Sequence, residues 1–400
     1  MQRLKDISMP GANYRMLFLT LLTMGLARGL HKGVLDNYFA NIAAMSAFDR
    51  GVAEFFRELP GLGLILILAL LYTLSAQSIF KIGGIIVLLG LALHAVVPPT
   101  QAMLTAAVCF YSLGEHMQVG TVNAISLNYA RPGCGGSALG IQNALTQAGT
   151  LLGFLAIIVV FLFAPSTITT FRWVFWAAAA VAAVALVTAL RLNVVGETNF
   201  QHNRFYFRRK YNKYYLLEIL YGSRKQVFFT FGPYVLILFY GANSSLISFL
   251  FAVSAVCSFF AAPMVGRITD RVGYKTVMVA DTLILVIVCF FYGYAHHIFS
   301  PKVAFIVCCA NYVFDAMLSL ASMAANLYVQ DMAENAEEVK STLATGLALN
   351  HLIAIFIALF GGWVWETLGI EVLFVISATL GVLNSAVAAT IKVPEKSSTK

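Results

Sequence analysis

Apolar runs of about 20 residues, the length that crosses the hydrocarbon core of a bilayer, recur twelve times along this chain. They lie at roughly 14–45, 51–78, 82–98, 101–129, 137–163, 171–190, 214–241, 244–268, 276–295, 303–328, 342–364 and 370–391. A backbone in lipid has no water to satisfy its polar groups, so runs of this length must be helices. Composition agrees: 60% of residues are hydrophobic and 11% charged, with a mean hydropathy of +0.82, against about 25% charged in a soluble domain. The expected fold class is an all-α polytopic membrane protein with twelve transmembrane helices in two six-helix bundles. The polar start, Met1 to Tyr14, followed by a long apolar run, reads as a first spanning helix rather than a cleaved signal peptide.

An even number of spans puts both ends on one side. Lys and Arg cluster in the N-terminal tail (Arg3, Lys5, Arg15), at Lys81, at Arg131, in the loop after the sixth span (Arg191, Arg204, Arg208, Arg209, Lys210, Lys213), after the eighth (Arg267, Arg271, Lys275) and in the tail (Lys392, Lys396, Lys400). The positive-inside rule makes that side cytoplasmic, in a plasma or inner membrane. One loop dissents, with Asp331, Glu334, Glu337 and Glu338 against Lys340. The formal charge of +8 therefore comes largely from loops on one face and is no nucleic-acid footprint. The loop 191–213 divides the chain into bundles at 1–190 and 214–400. Its aromatic and cationic stretch, Arg204 to Tyr215, suits a segment lying at headgroup level. Of six cysteines, five sit in apolar segments without metal-ligand spacing and read as free thiols.

The first span carries Arg28, His31, Lys32 and Asp36. Charges at bilayer depth cost roughly 2.5–3.5 kcal/mol each on insertion scales. Arg28, Lys32 and Asp36 follow at i, i+4, i+8, with His31 beside them, so they must face protein or a watery cavity. Gly25, Gly29 and Gly33 repeat at the same interval and make a track on which a neighbouring helix can approach closely. The halves look like relatives: Arg28 finds Arg224 196 residues on, and at an offset of 199 Val108-Cys109, His116 and Tyr129 find Val307-Cys308, Asp315 and Tyr328.

Between spans eight and nine stands Gly266-Arg267-Ile268-Thr269-Asp270-Arg271-Val272-Gly273-Tyr274-Lys275. This resembles the cytoplasmic-loop signature of the major facilitator superfamily: glycine, three residues, aspartate, arginine, one residue, glycine, one residue, a base. The corresponding stretch between spans two and three, Tyr72 to Lys81, keeps only the final base. The resemblance implies alternating-access transport by two bundles rocking about a midplane site. It assigns gating to Gly266, Asp270, Arg271, Gly273 and Lys275, with Gly266 letting helices meet closely. It also implies that spans one, four, seven and ten line the cavity.

The polar residues of those spans are the candidate substrate site: Arg28, His31, Lys32 and Asp36; Glu115 and His116; Arg224 and Lys225; Asp315; and, from span eleven, Asn350 and His351. Arginine stays charged when buried and offers a planar fork of donors. Arg28 and Arg224 would clamp an anion, an arrangement similar to that of the superfamily's organophosphate antiporters. Otherwise Arg28 pairs with Glu115, and Arg224 with Glu218 or Asp315. The histidines and carboxylates allow proton coupling. Arg50, Glu54, Arg57 and Glu58, at a partly wet helix end, read as a salt-bridge network.

The expected function is a secondary active transporter for a small polar, anionic solute, with a proton or other coupling ion and the lipid bilayer as partners. Export of amphipathic drugs is the alternative within transport, although the fifth span lacks the proline of the drug-exporter motif. A ligand sensor that moves nothing is the alternative outside it. No metal triad, nucleophile elbow or phosphate loop is present, so neither catalytic residues nor an enzyme, cofactor, metal or nucleic-acid partner is expected, and the chain is expected to be a monomer.

Overall fold

The computed structural model describes residues 8–71, 73–193 and 207–393. Arg3, Lys5, Tyr72, Arg204, Lys396 and Lys400 lie outside the described residues, as does 194–206 of the inter-bundle loop. The described residues form α1 (Tyr14–Asn37), α2 (Ala47–Leu70), α3 (Ala76–Val96), α4 (Gln101–Asn128), α5 (Gly135–Phe163), α6 (Ile168–Leu190), α7 (Asn212–Tyr240), α8 (Ser244–Val272), α9 (Tyr274–Ile298), α10 (Pro301–Met332), α11 (Ala336–Leu368) and α12 (Ile370–Ala389). The twelve expected spans are thus twelve helices of a polytopic membrane protein. Eight of them are long and apolar enough to cross a membrane on length and composition. The other four are α1, α2, α4 and α7. Three of these carry several charges in their interiors, and α4 carries Glu115 amid polar neighbours. The helices with the most polar chemistry are those that lipid tolerates least.

The chain falls into two compact units. The first comprises described residues of Met1–Met45, Phe56–His202 and Ala242–Ala252; the second those of Ser46–Phe55, Asn203–Gly241 and Val253–Lys400. Helices α2 and α8 each begin in one unit and end in the other.

In the first unit, α1 packs on α5 through the glycine track. A Cβ added at Gly25 would strike the Thr146 carbonyl, and one at Gly29 the Thr150 carbonyl; Gly149 and Gly153 answer from α5 against Leu22 and Gly29. Backbones in such contact gain dispersion and lose little side-chain entropy, which is how helices adhere without a hydrophobic drive between them. At one end of this unit Leu17, Leu21, Phe80, Ile125 and Tyr129 form a core.

The second unit corrects three expectations. Tyr211, Tyr214 and Tyr215 are not a surface stretch: they are buried with Tyr274, Tyr328 and Val329 in one core, while the cations that precede them turn to carboxylates. Lys210 Nζ reaches Glu338 at 2.6 Å and Glu334 at 3.2 Å, and Arg208 reaches Glu338 at 3.5 Å. Hydrogen bonding to Glu338 holds the Lys210 ammonium above its ordinary range. The acidic loop that dissented from the charge bias is therefore the receptor of the linker's cations.

Secondly, Gly266 makes no close helix approach, for a Cβ there would meet nothing within 4 Å. The signature's second glycine has the demanding backbone. Gly273 sits at φ +83°, receives the end of α8 through its N–H to the Thr269 carbonyl at 2.9 Å and starts α9 one residue later. A Cβ is strained at that φ.

Thirdly, α10 is not one continuous α-helix. A 3-10 turn, Ser319–Ser322, separates its α-helical runs Pro301–Leu318 and Met323–Met332. The Ser319 carbonyl freed there accepts from the Tyr221 hydroxyl at 2.7 Å and from Ser322 Oγ at 2.9 Å, so that carbonyl is not orphaned by the break.

Candidate functional site

Each unit holds an arginine on its first long helix paired with a carboxylate on a helix further along. In the first, Arg28 Nε of α1 meets Glu115 Oε1 of α4 at 2.8 Å. In the second, an Arg224 terminal nitrogen of α7 meets Asp315 Oδ1 of α10, also at 2.8 Å. The two pairs differ in wetness. The side chains of Arg28 and Glu115 are 28% and 18% exposed, those of Arg224 and Asp315 5% and 11%. The first pair lines a small cavity of about 20 Å³ with Met24, Ala27, Tyr111 and Gln118, room for about one water. The second is closed in, with the Arg224 guanidinium over the Tyr221 ring at 5.1 Å. A charge pair in low dielectric must be matched one to one, or the leftover charge costs several kcal/mol.

Around Arg28 the candidates scatter. His31 is turned away from the cavity into an aromatic nest, its ring 4.1 Å from that of Tyr111 and 4.9 Å from that of His94. His94 donates through Nδ1 to the Gly90 carbonyl at 2.7 Å, and the Nε2 atoms of both histidines are buried without a hydrogen-bond partner. Lys32 places its ammonium 5.1 Å from the Phe251 ring centre. Asp36 is buried near the end of α1. His116, next to Glu115, is held at Nδ1 by the Ser112 carbonyl at 2.9 Å and hydroxyl at 3.0 Å.

Around Arg224, Lys225 is exposed. Glu218 does not take the arginine; its carboxylate accepts from Asn350 Nδ2 of α11 at 3.4 Å. A Cβ on Gly222 would lie 2.8 Å from the Asn350 amide carbon, so these helices meet at van der Waals contact there. His351 is half-buried on α11. In the loop signature, Asp270, Arg271 and Gly273 are exposed, and Lys275 donates to the Ile391 carbonyl at 2.9 Å.

The outer set of α2 departs from expectation in its setting. Arg50 and Glu54 do pair, at 2.9 Å, but at 4% and 0% side-chain exposure they are dry. The second oxygen of Glu54 accepts from Gln226 Nε2 at 2.9 Å, and Gln226 donates also to Thr230 Oγ1 at 2.9 Å. Arg57 pairs with the neighbouring Glu58, and its carbonyl accepts from Ser112. Gln226, Thr230, His94 and Tyr111 escaped the sequence reading. A lone neutral polar residue in an apolar run carries no local signal. The spacing Arg224, Gln226, Thr230 on α7 was the one cue.

A family profile described as Major Facilitator Superfamily matches residues 214–400. Solved structures of low sequence identity share the fold over nearly the whole chain. A nucleoside transporter, NupG, superposes with a TM-score of 0.75 at 15% identity, covering 94% of this chain and 99% of that one. A D-xylose-proton symporter gives 0.72 at 14%, over 94% and 96%. A bacterial homologue of the human lysosomal transporter Spinster gives 0.70 at 16%, over 94% and 96%. The C-terminal part of the chain, residues 214–400, thus matches the Major Facilitator Superfamily profile, and the chain as a whole shares the fold of these transporters. No curated protein sequence matches it. In superfamily terms the paired arginines occupy the first and seventh helices and their carboxylates the fourth and tenth, the four that the resemblance assigned to the cavity.

Proposed function

We propose that this protein is a secondary active transporter of a small polar, anionic solute, working by alternating access with proton coupling, both termini cytoplasmic. The observation that carries the reading is the Arg28–Glu115 pair, matched at 2.8 Å yet still partly exposed beside a small cavity. An incoming carboxylate or phosphate competes for the Arg28 fork. The displaced Glu115 is then a proton acceptor next to His116, so binding of the anion and of a proton favour one another. Lys32 and Lys225 add positive potential along the way.

A second reading is an uncharged polar solute. It is favoured by the one-to-one pairing of both arginines, which leaves no net charge at either pair. The fold neighbours named for nucleoside and D-xylose transport are of that kind.

Glu115→Gln separates the two. For an anionic solute, removing the competing carboxylate leaves Arg28 vacant and binding tightens. For an uncharged solute, an acceptor is lost and binding weakens. Arg28→Lys keeps the charge but loses the fork, and binding should fall about ten- to a hundredfold, the worth of roughly 1.5–3 kcal/mol for a charge-assisted hydrogen bond. Ligands are found first by thermal-shift screening of purified protein against anionic metabolites, nucleosides and sugars. Unchanged affinity in Arg28→Lys for every hit removes Arg28 from the site. An uptake rate flat from about pH 5 to 8, the histidine window, removes proton coupling.

A further inference from the structure

A third cluster of ionisable side chains lies wholly within the second unit and takes no part in the reading above. The last turn of α9 carries His296 and His297, and α12 opens with Glu371 as its second residue. Adjacent residues on a helix ordinarily diverge by about 100°. Here both side chains converge on one oxygen: Glu371 Oε1 lies 3.1 Å from His296 Nε2 and 2.7 Å from His297 Nε2. The imidazole rings stand 4.0 Å apart, and the three ligand-type atoms all lie within 4.8 Å of one another.

The scaffold beneath them is stiff. A Cβ on Gly293 would touch the Phe374 Cβ at 3.1 Å and the Glu371 Cα at 3.6 Å, so α9 and α12 meet backbone to backbone one turn below the cluster. The Phe239 ring braces His296 from the side, at 5.2 Å. Above, the cluster is open, with the His297 side chain 57% exposed. A fixed carboxylate, a braced imidazole and a freely turning imidazole leave room to admit an ion and settle around it.

We infer that His296, His297 and Glu371 form a binding site for a divalent transition-metal ion of the zinc class, tying the end of α9 to the start of α12. Two neutral imidazole nitrogens and one carboxylate oxygen are the ligand types that zinc takes at about 2.0–2.2 Å, with water in the remaining position. Calcium and magnesium prefer all-oxygen sets and would be refused. Ligands around a tetrahedral ion at those bond lengths stand somewhat over 3 Å apart, so the 3.1 Å from Glu371 Oε1 to His296 is close to that spacing and the 2.7 Å to His297 has to open. Adding the metal displaces the hydrogen bonds that now join the three groups, with each neutral imidazole offering its Nε2 lone pair and carrying its one proton on Nδ1.

The test uses detergent-purified full-length protein with its affinity tag removed. Zinc chloride is titrated by calorimetry, and unfolding temperature is followed with and without zinc. The expected result is one zinc per chain at micromolar affinity, a rise in unfolding temperature that calcium and magnesium do not give, and a cobalt derivative with the intense visible absorption of a low-coordinate ion. His297→Gln and Glu371→Gln should each weaken zinc at least tenfold while unfolding normally in its absence. His297 is exposed enough that its replacement leaves the fold intact, which guards the test against a variant that merely misfolds. Absence of zinc binding to the wild-type chain overturns the inference. So does equal binding by wild type and both variants, which would place the ion elsewhere.

Discussion

The dry pair Arg50–Glu54 shows how far a residue's meaning depends on neighbours remote in sequence. Spacing of i and i+4 correctly pairs the two, but it also suggests a helix end wetted by solvent, where such a pair contributes little. Gln226, 172 residues away, caps the second oxygen of Glu54, and Gly51 lets α2 approach the Ala358 carbonyl so closely that water is excluded. Glu54→Ala should therefore cost about 3–5 kcal/mol, the scale for stranding a buried charge. Arg50→Met together with Glu54→Leu should recover most of it. Guanidinium or thermal unfolding in detergent measures both, and a double variant as unstable as Glu54→Ala would show that the charge itself is not what matters. The paired states of Arg28 and Arg224 were legible as one of two options from residue types alone. The aromatic nest of His31 was not, because its other ring comes from His94 on a different helix.

At the scale of the element, all twelve helices were placed, with ends off by up to eight residues, since apolar length is a local property and helix ends are not. The track Gly25, Gly29, Gly33 announced a close contact but not its partner; α5 supplies Gly149 and Gly153, which repeat the same four-residue interval but which the sequence does not by itself match to α1. Gly29→Val should force α1 and α5 apart, costing about 1–3 kcal/mol by overpacking, with a matching loss of monodisperse protein. Gly140→Ala on the same α5 meets open space and should be neutral or slightly stabilising, since alanine favours helix by up to about 1 kcal/mol. The loop signature divides in the same way. Gly266→Ala should leave thermal stability unchanged, whereas Gly273→Ala, at φ +83°, should lower it by about 1 kcal/mol. Equal behaviour of the two would mean that the turn at Gly273 relaxes. The break in α10 could not be foreseen: Ser319 and Ser322 sit comfortably in an apolar helix, and the Tyr221 hydroxyl that rewards the break comes from α7.

For the molecule as a whole, hydropathy and one loop signature pointed to the fold that the solved transporters share and to the profile that residues 214–400 match. They were not enough for a solute, since that is decided by a few polar atoms whose partners lie on other helices. The bias of Lys and Arg predicts that the C-terminal tail is cytoplasmic. A cysteine placed at Lys400 should resist membrane-impermeant thiol reagents in intact cells and react after permeabilisation; labelling in intact cells would invert the whole topology.

The contact of the linker with the acidic turn bears on how the chain is made. Lys210 and Glu334 are separated by 124 residues. At about 5–20 residues per second, the linker leaves the ribosome roughly 6–25 s before its carboxylate partners do. Throughout that interval Arg208, Arg209, Lys210 and Lys213 are bare cations at the mouth of the insertion machinery, and α7 is threaded against their full charge. Only after four further helices have been synthesised does the balancing acid arrive. Loop charge in the finished protein thus understates the charge that the linker carried before its carboxylate partners were made.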